Sequence, residues 1–262
     1  MPLPSTLQLP GRRHNTSIGD LVVESLSLEQ TARAFVAYCT SSERHVAGRP
    51  LYSTSVNGQV ISLCAAKPEV ADLFRQADSI SADGQPMVML SRFLACAPLP
   101  ERVATTDLFP AVADLAGKAG LSFYMLGASE RVNAKAVEEV RKTYPRLKIV
   151  GRRNGYFGRD EEAAICKEIA ALRPDILWIS LGAPLEQEFV NRNLRRLTGV
   201  GIIKTAGGLL DFLSLEKARA PTWMQRLGFE WLFRTVLEPK RLLMRYVTTN
   251  PHALYVMLTK MR

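Results

Sequence analysis

The sequence predicts an α/β fold: a Rossmann-like, mostly parallel sheet with flanking helices, followed by a basic helical C-terminal appendage. Three observations carry this. From residue 107 short apolar runs alternate with amphipathic stretches of helical length, the spacing of parallel βαβ units. The apolar runs are nearly continuous, as strands buried on both faces require. After residue 215 the strand pattern stops, and Trp, Phe and Arg interleave at helical spacing.

Residues 1–20 read as a loose arm. In "SLEQTARAFVAYCTSS" Ser27 is an N-cap candidate with Gln30 three residues on, and Ala34, Phe35 and Tyr38 share a helical face. "PLYSTSVNGQVISLC" reads as a strand leading into a polar loop around Asn57-Gly58. "PEVADLFRQAD" is a helix opened by proline, and it runs toward a short strand before Asp83. Strands follow at 121–127, 147–151, 175–182 and 200–208, with helices over "RVNAKAVEEVRKTY", "RDEEAAICKEIAALR" and "LEQEFVNRNLRRL" between them. The α/β domain is expected over 21–215. The appendage is expected over 216–262, where Pro239 separates an aromatic-rich helix from a second basic one.

Composition bounds the function. With 262 residues, 47% of them hydrophobic, the chain is long enough for a full core. Four scattered cysteines (39, 64, 96, 166) and three distant histidines (14, 45, 252) form no CxxC and no zinc pattern, which fits a reducing cytoplasm. "MPLPSTLQLPGRRHNTS" does not read as a signal peptide. No apolar run reaches the roughly 18–20 residues that span a bilayer. Residues 216–262 hold nine Lys/Arg against three Asp/Glu, so +6 of the formal +9 lies there. That asymmetry calls for an anionic partner: phospholipid, a phosphate-bearing substrate or nucleic acid.

No GxGxxG closes a strand, and no GxxxxGK[ST] or GxSxG occurs, which argues against a dinucleotide oxidoreductase, a P-loop NTPase and an α/β-hydrolase. Glycines do recur at carboxyl ends of strands: Gly127, Gly182 and Gly207-Gly208. Each alone reads as a turn. Together they sit at the edge where open α/β sheets bind ligands, and they let backbone amides approach phosphate. The Asp83-Gly84 pair in "SISADGQPMV" is ordinarily a turn, but a carboxylate beside glycine at a strand tip also suits a general base. No Asp-x-Asp pair of the metal–nucleotide type occurs. A phosphate leaving group would then rely on Arg, Lys and backbone donors.

The segments "ADSISADGQPMVMLSR", "PERVATTDLFPAV", "YPRLKIVGRRNGYF", "LGAPLEQEF", "AGGLLDFL" and "RAPTWMQRLGFEWLFRTVLEPKRLLMRY" resemble, in order, the signatures of the WecG/TagA/CpsF glycosyltransferases. The likeness runs from about residue 50 to 255, and its last segment is the most specific. It implies an inverting enzyme that moves a sugar from a UDP-sugar to a polyprenyl-diphosphate-linked sugar with no cofactor and no metal. It further implies a peripheral position on the inner face of the cell membrane. Asp83 falls on the family's general base. Ser55 and Asn57 fall on its upstream Thr and Asn, and with Arg102, in the second segment, they are expected to bind substrate. Arg234, Arg241 and Arg245 match appendage arginines, whereas Met244 stands where relatives are often basic. The family's PKQE loop is one residue longer here, "PLEQE", which leaves the placing of Gln187 and Glu188 open. The segments look closest to the xanthan-type exopolysaccharide branch, which makes glucose from UDP-glucose, β-1,4-linked, the first expectation. N-acetylmannosamine or its uronate, as in teichoic-acid and surface-antigen synthesis, is the alternative. A basic membrane- or nucleic-acid-binding protein is the alternative of another kind. It lacks a helix-turn-helix or zinc signature, so no nucleic acid is expected as partner. A homo-oligomer stays open.

Overall fold

A computed structural model describes residues 15–42, 44 and 48–262, with the side chain of Arg241 left out. The structural part of the expected arm therefore lies mostly outside the described residues. From Asn15 onward the chain is ordered into a hairpin, β1 (Asn15–Ile18) and β2 (Leu21–Glu24), that the sequence reading did not foresee.

The other strands are β3 (Leu51–Val56), β4 (Ser79–Ala82), β5 (Ser122–Gly127), β6 (Lys148–Arg153), β7 (Ile176–Ser180) and β8 (Ile202–Thr205). They form one six-stranded sheet in the order β4-β3-β8-β7-β5-β6. The pairs β3/β8, β7/β8, β5/β7 and β5/β6 are all parallel. This is the α/β class expected from the alternation of strands and helices. Helices are α1 (Leu28–Thr40), α2 (Gly58–Ala66), α3 (Pro68–Arg75), α4 (Gln85–Leu94), α5 (Thr105–Lys118), α6 (Glu130–Thr143), α7 (Glu162–Leu172) and α8 (Leu185–Asn193). Four more follow: α9 (Leu209–Leu213), α10 (Thr222–Arg226), α11 (Glu230–Leu237) and α12 (Pro239–Lys260).

The described residues divide into two compact units. The first comprises Leu28–Thr54 and Thr105–Lys217. Its core is aromatic: Phe109 meets Trp178 and Phe123 edge-on, with ring centroids 4.9 and 5.8 Å apart, the geometry ring quadrupoles favour. Ser129 caps α6 by accepting from Val132 N, and Arg173 ends α7 in the left-handed region at φ 49°.

The second unit comprises residues 15–27, Ser55–Ala104 and Ala218–Arg262. It departs from the linear division expected from the sequence, because α12 is a core helix here. Leu242, Tyr246, Ala253, Val256 and Met257 are buried. His252 Nδ1 lies 2.9 Å from Ser62 Oγ on α2. The chain then adds a strand-like edge to β1, with Ser17 N donating to Arg262 O and Arg262 N to Ser17 O, each 2.9 Å. Residues 58–66 are also a helix, not the strand continuation and loop expected there. Asn57 Oδ1 accepts from Val60 N at 3.1 Å and starts it.

The division of α12 into a buried and an exposed side gives a direct check. Leu242 is fully buried and its neighbour Leu243 is half exposed. Leu242→Ala is expected to lower stability by about 2–5 kcal/mol, and Leu243→Ala by less than about 0.5 kcal/mol, in urea titrations followed by circular dichroism.

Candidate active site

Seven of the residues singled out in the sequence fall in the second unit. Ser55 and Asn57 end β3, and Asp83 follows β4 directly. The Asp83 loop is fixed by its backbone: Asp83 N donates to Val56 O at 2.8 Å, and Val103 N donates to Ala82 O at 2.8 Å. Gly84 lets it lie close to the start of α2, since a Cβ there would stand 3.1 Å from Met87 Sδ and 3.5 Å from Asn57 Cα. Asn57 thus has a defined local duty as N-cap, and that duty places it beside the Asp83 loop. Asp83 itself is half-buried, at the end of a strand whose four residues are all buried. A carboxylate so placed is held by the sheet and keeps part of its surface open, as a proton acceptor requires.

Arg102 sits one residue before Val103. Its Nη1 donates to Glu230 Oε2 at 2.9 Å and its Nη2 to Gln225 Oε1 at 3.0 Å. Arg234 lies on α11. Arg241 and Arg245 are both on α12. The Arg245 guanidinium lies 4.8 Å from the Tyr246 ring centroid, with Nη2 donating to the Tyr246 hydroxyl at 3.1 Å.

The remaining three belong to the first unit: Gly127 ends β5, Gly182 follows β7, and Gln187 lies in the first turn of α8. Gly127 has φ 132°, and a Cβ there would fall 2.2 Å from Ser180 O. Its lack of a side chain is demanded by strand packing. Gly182 has φ 81°, and its amide is already engaged: Gly182 N donates to Glu186 Oε2 at 3.2 Å. The same carboxylate accepts from Gly207 N at 2.9 Å. The amides that the glycine pattern offered to phosphate thus serve a carboxylate of the chain itself. Gln187 is buried and spans two strands, with Nε2 donating to Thr54 Oγ1 at 3.1 Å and Thr205 donating to Thr54 at 2.7 Å. In the loop whose register was open, Glu186 and Gln187 point inward, while Leu185 is exposed.

Glu186 is the residue the sequence reading missed. The available signal was its place: a carboxylate at the second position of α8, directly after a glycine-bearing loop, is where a side chain folds back onto free amides. Burial pushes its carboxyl up to about 7, against the lowering pull of the Gly207, Gly182, Gln187 and Leu181 hydrogen bonds. Among the described residues no group of three His, Cys, Asp or Glu is placed to hold a metal ion, and no helix is long and apolar enough to cross a membrane.

A parallel α/β sheet with a half-buried carboxylate on a glycine loop at its carboxyl edge has that carboxylate where such sheets bind ligands. The chain belongs to the WecG/TagA/CpsF family of glycosyl transferases, which matches it over residues 16–262. It is similar to the N-acetylglucosaminyldiphosphoundecaprenol N-acetyl-beta-D-mannosaminyltransferase of Bacillus subtilis (strain 168), 31% identical over 188 residues and 72% of each chain. The protein of the same name from Bacillus spizizenii (strain ATCC 23059 / NRRL B-14472 / W23) is 33% identical over 174 residues, 66% of each chain.

Glu186 yields a pH test. Its folded-state value lies above the ordinary 4.5, so the native protein holds this proton more tightly than the unfolded chain. The contribution is most favourable below about pH 4.5 and is lost as pH rises to about 7. Glu186→Gln removes that dependence. Relative to the parent, the variant is expected to gain on the order of 3 kcal/mol between pH 4 and 8, on top of a pH-independent loss from weaker amide bonds. Denaturant titrations across that range measure it.

Proposed function

We propose that this glycosyl transferase moves N-acetylmannosamine from UDP-N-acetylmannosamine to an N-acetylglucosaminyl-diphospho-polyprenol. The observation that carries the reading is that both relatives are named for this transfer. The earlier expectation of glucose and a xanthan-type pathway is not carried forward: neither relative bears that name, and the alternative written beside it fits them better.

In this reading Asp83 is the general base. The acceptor hydroxyl oxygen attacks the anomeric carbon from the face opposite UDP, its proton passes to the Asp83 carboxylate, and the bond to the UDP oxygen breaks. One positioned carboxylate suffices for inversion by direct displacement. Ser55 and Asn57, at the end of the neighbouring strand, bind the sugar near it. Arg234, Arg241 and Arg245 meet the acceptor diphosphate, for which arginine offers paired donors. Gly127, Gly182 and Gln187 shape the donor side through the loops they fix. In this reading arginines, not a metal ion, face the acceptor diphosphate.

The acceptor lives in a membrane, and the second unit has a surface suited to one. Trp223, Leu227, Val236, Met244, Val247 and Leu258 are each more than half exposed. Residues 216–262, which contain them, carry +6 net charge. Aromatic and aliphatic side chains enter the interface while Lys and Arg meet anionic headgroups. The enzyme would thereby work peripherally on the inner leaflet.

Three measurements test this. A UDP-sugar panel with a synthetic N-acetylglucosaminyl-diphospho-lipid is expected to show product from UDP-N-acetylmannosamine at least tenfold faster than from UDP-glucose; the reverse order returns the glucose reading. Asp83→Asn is expected to cut turnover about 10²–10⁴-fold, and a variant keeping half its rate moves the base elsewhere. Arg226→Glu with Lys240→Glu, both exposed, reverses two charges worth about 1 kcal/mol each near an anionic surface. Sedimentation with anionic vesicles is expected to fall more than tenfold, with no change on neutral ones.

A further inference from the structure

We propose that Arg102 and Glu230 form a latch that holds α10 and α11 in place for the reaction, so that both are positioning residues. The two helices have almost no core of their own. No residue of α10 is buried, and in α11 only Thr235 is. Their apolar attachments are thin: Trp231 rests on Tyr246 with ring centroids 5.8 Å apart, and Gly228 lies beside Pro86. A segment with so little buried apolar surface needs another source of order.

The polar contacts supply it. The Arg102–Glu230 pair closes at 2.9 Å with side chains 12% and 21% exposed. Gln225 completes it: its Oε1 accepts from Arg102 at 3.0 Å and from Arg219 at 2.7 Å, and its Nε2 donates to Ala220 O at 2.7 Å. One guanidinium thus grips a residue at the start of α11 and a residue of α10 together. Such a shielded pair is costly to break from one side, since the remaining charge loses its partner.

The latch also joins two parts of the chemistry. Arg102 precedes Val103, whose amide binds Ala82 O beside Asp83. Glu230 lies one helical turn before Arg234 on α11. The pair therefore sets the distance from the Asp83 loop to an arginine assigned to the acceptor diphosphate. Family resemblance instead makes Arg102 a ligand of the substrate. The two roles differ in what a charge exchange does. A latch works with its charges swapped, whereas an arginine that binds a phosphate does not work as a glutamate.

The catalytic arm rests on the transfer proposed above; the structural arm does not. Hydrogen–deuterium exchange is measured over residues 222–237, with 122–205 as internal control, in Arg102→Gln, Glu230→Gln, Arg102→Lys and the double exchange Arg102→Glu with Glu230→Arg. Both Gln variants are expected to exchange at least tenfold faster in 222–237 and unchanged in the control, with Arg102→Lys between them and the parent. The double exchange is expected to return protection to within about threefold and to recover at least tenfold of the lost turnover. Unchanged exchange in the single variants, or no recovery of protection in the double one, overturns the latch. Recovered protection without recovered turnover overturns the positioning role and returns Arg102 to the substrate. If the parent turns over no UDP-sugar, the transfer reading fails while the exchange data still decide the latch.

Discussion

Strand β8 is hydrogen-bonded along both edges, to β3 and to β7, and its four residues are buried. A parallel strand in that position has no access to water, so every polar group it carries must be satisfied by the protein. For the Thr205 hydroxyl, Thr54 and Gln187 do this in a small buried chain of hydrogen bonds. The loop past β8 extends the same logic. Gly207 N donates to Glu186, so the carboxyl edge between β7 and β8 is closed by a carboxyl group that belongs to the chain. Gly182 and Gly207 are needed for backbone shape, and that carboxyl group decides what their amides do.

That arrangement changes how a glycine-studded sheet edge is read. A glycine at a strand end signals either an approaching ligand or an approaching neighbour. At Gly127 the neighbour is the carbonyl of Ser180. At Gly182 it is a glutamate four residues ahead. At Gly127 the chain itself fills the space, and at Gly182 it engages the amide; local spacing cannot tell either from a phosphate. The carboxylate in the loop was the available clue.

Much of the first unit was legible because each strand there is a short apolar run bounded by an amphipathic helix. The β7 and β8 runs, "ILWIS" and "IIKT", stand out in any window. The second unit was harder for physical reasons. Its hairpin strands have four residues each, too few for a period to register. "GQVISLCAA" is apolar on most sides, so its helix was masked by a strand-like composition, and only the Asn57 cap marks its start. The tail was read as an appendage because Trp, Phe and Arg dominate its first half. Its second half buries Leu242, Tyr246 and Met257, spaced four and eleven residues apart on one helix face, which composition hides and periodicity could have shown. Asp83 was legible as a residue worth attention from its place at a strand tip, and its proposed role came from the family likeness.

The second unit is stitched from three separated stretches, the last beginning at Ala218, more than a hundred residues after the middle one ends at Ala104. A ribosome releases these stretches in order. While residues 105–217 emerge, the Asp83 loop and α2 are already outside, but α2 lacks α12, which packs against it. The nascent chain therefore carries the second unit incomplete until its last stretch emerges. The exposed apolar and basic side chains of the tail and the helix that completes the unit arrive together, within that final stretch. A chain stalled short of α12 thus lacks most of that surface and the finished unit alike.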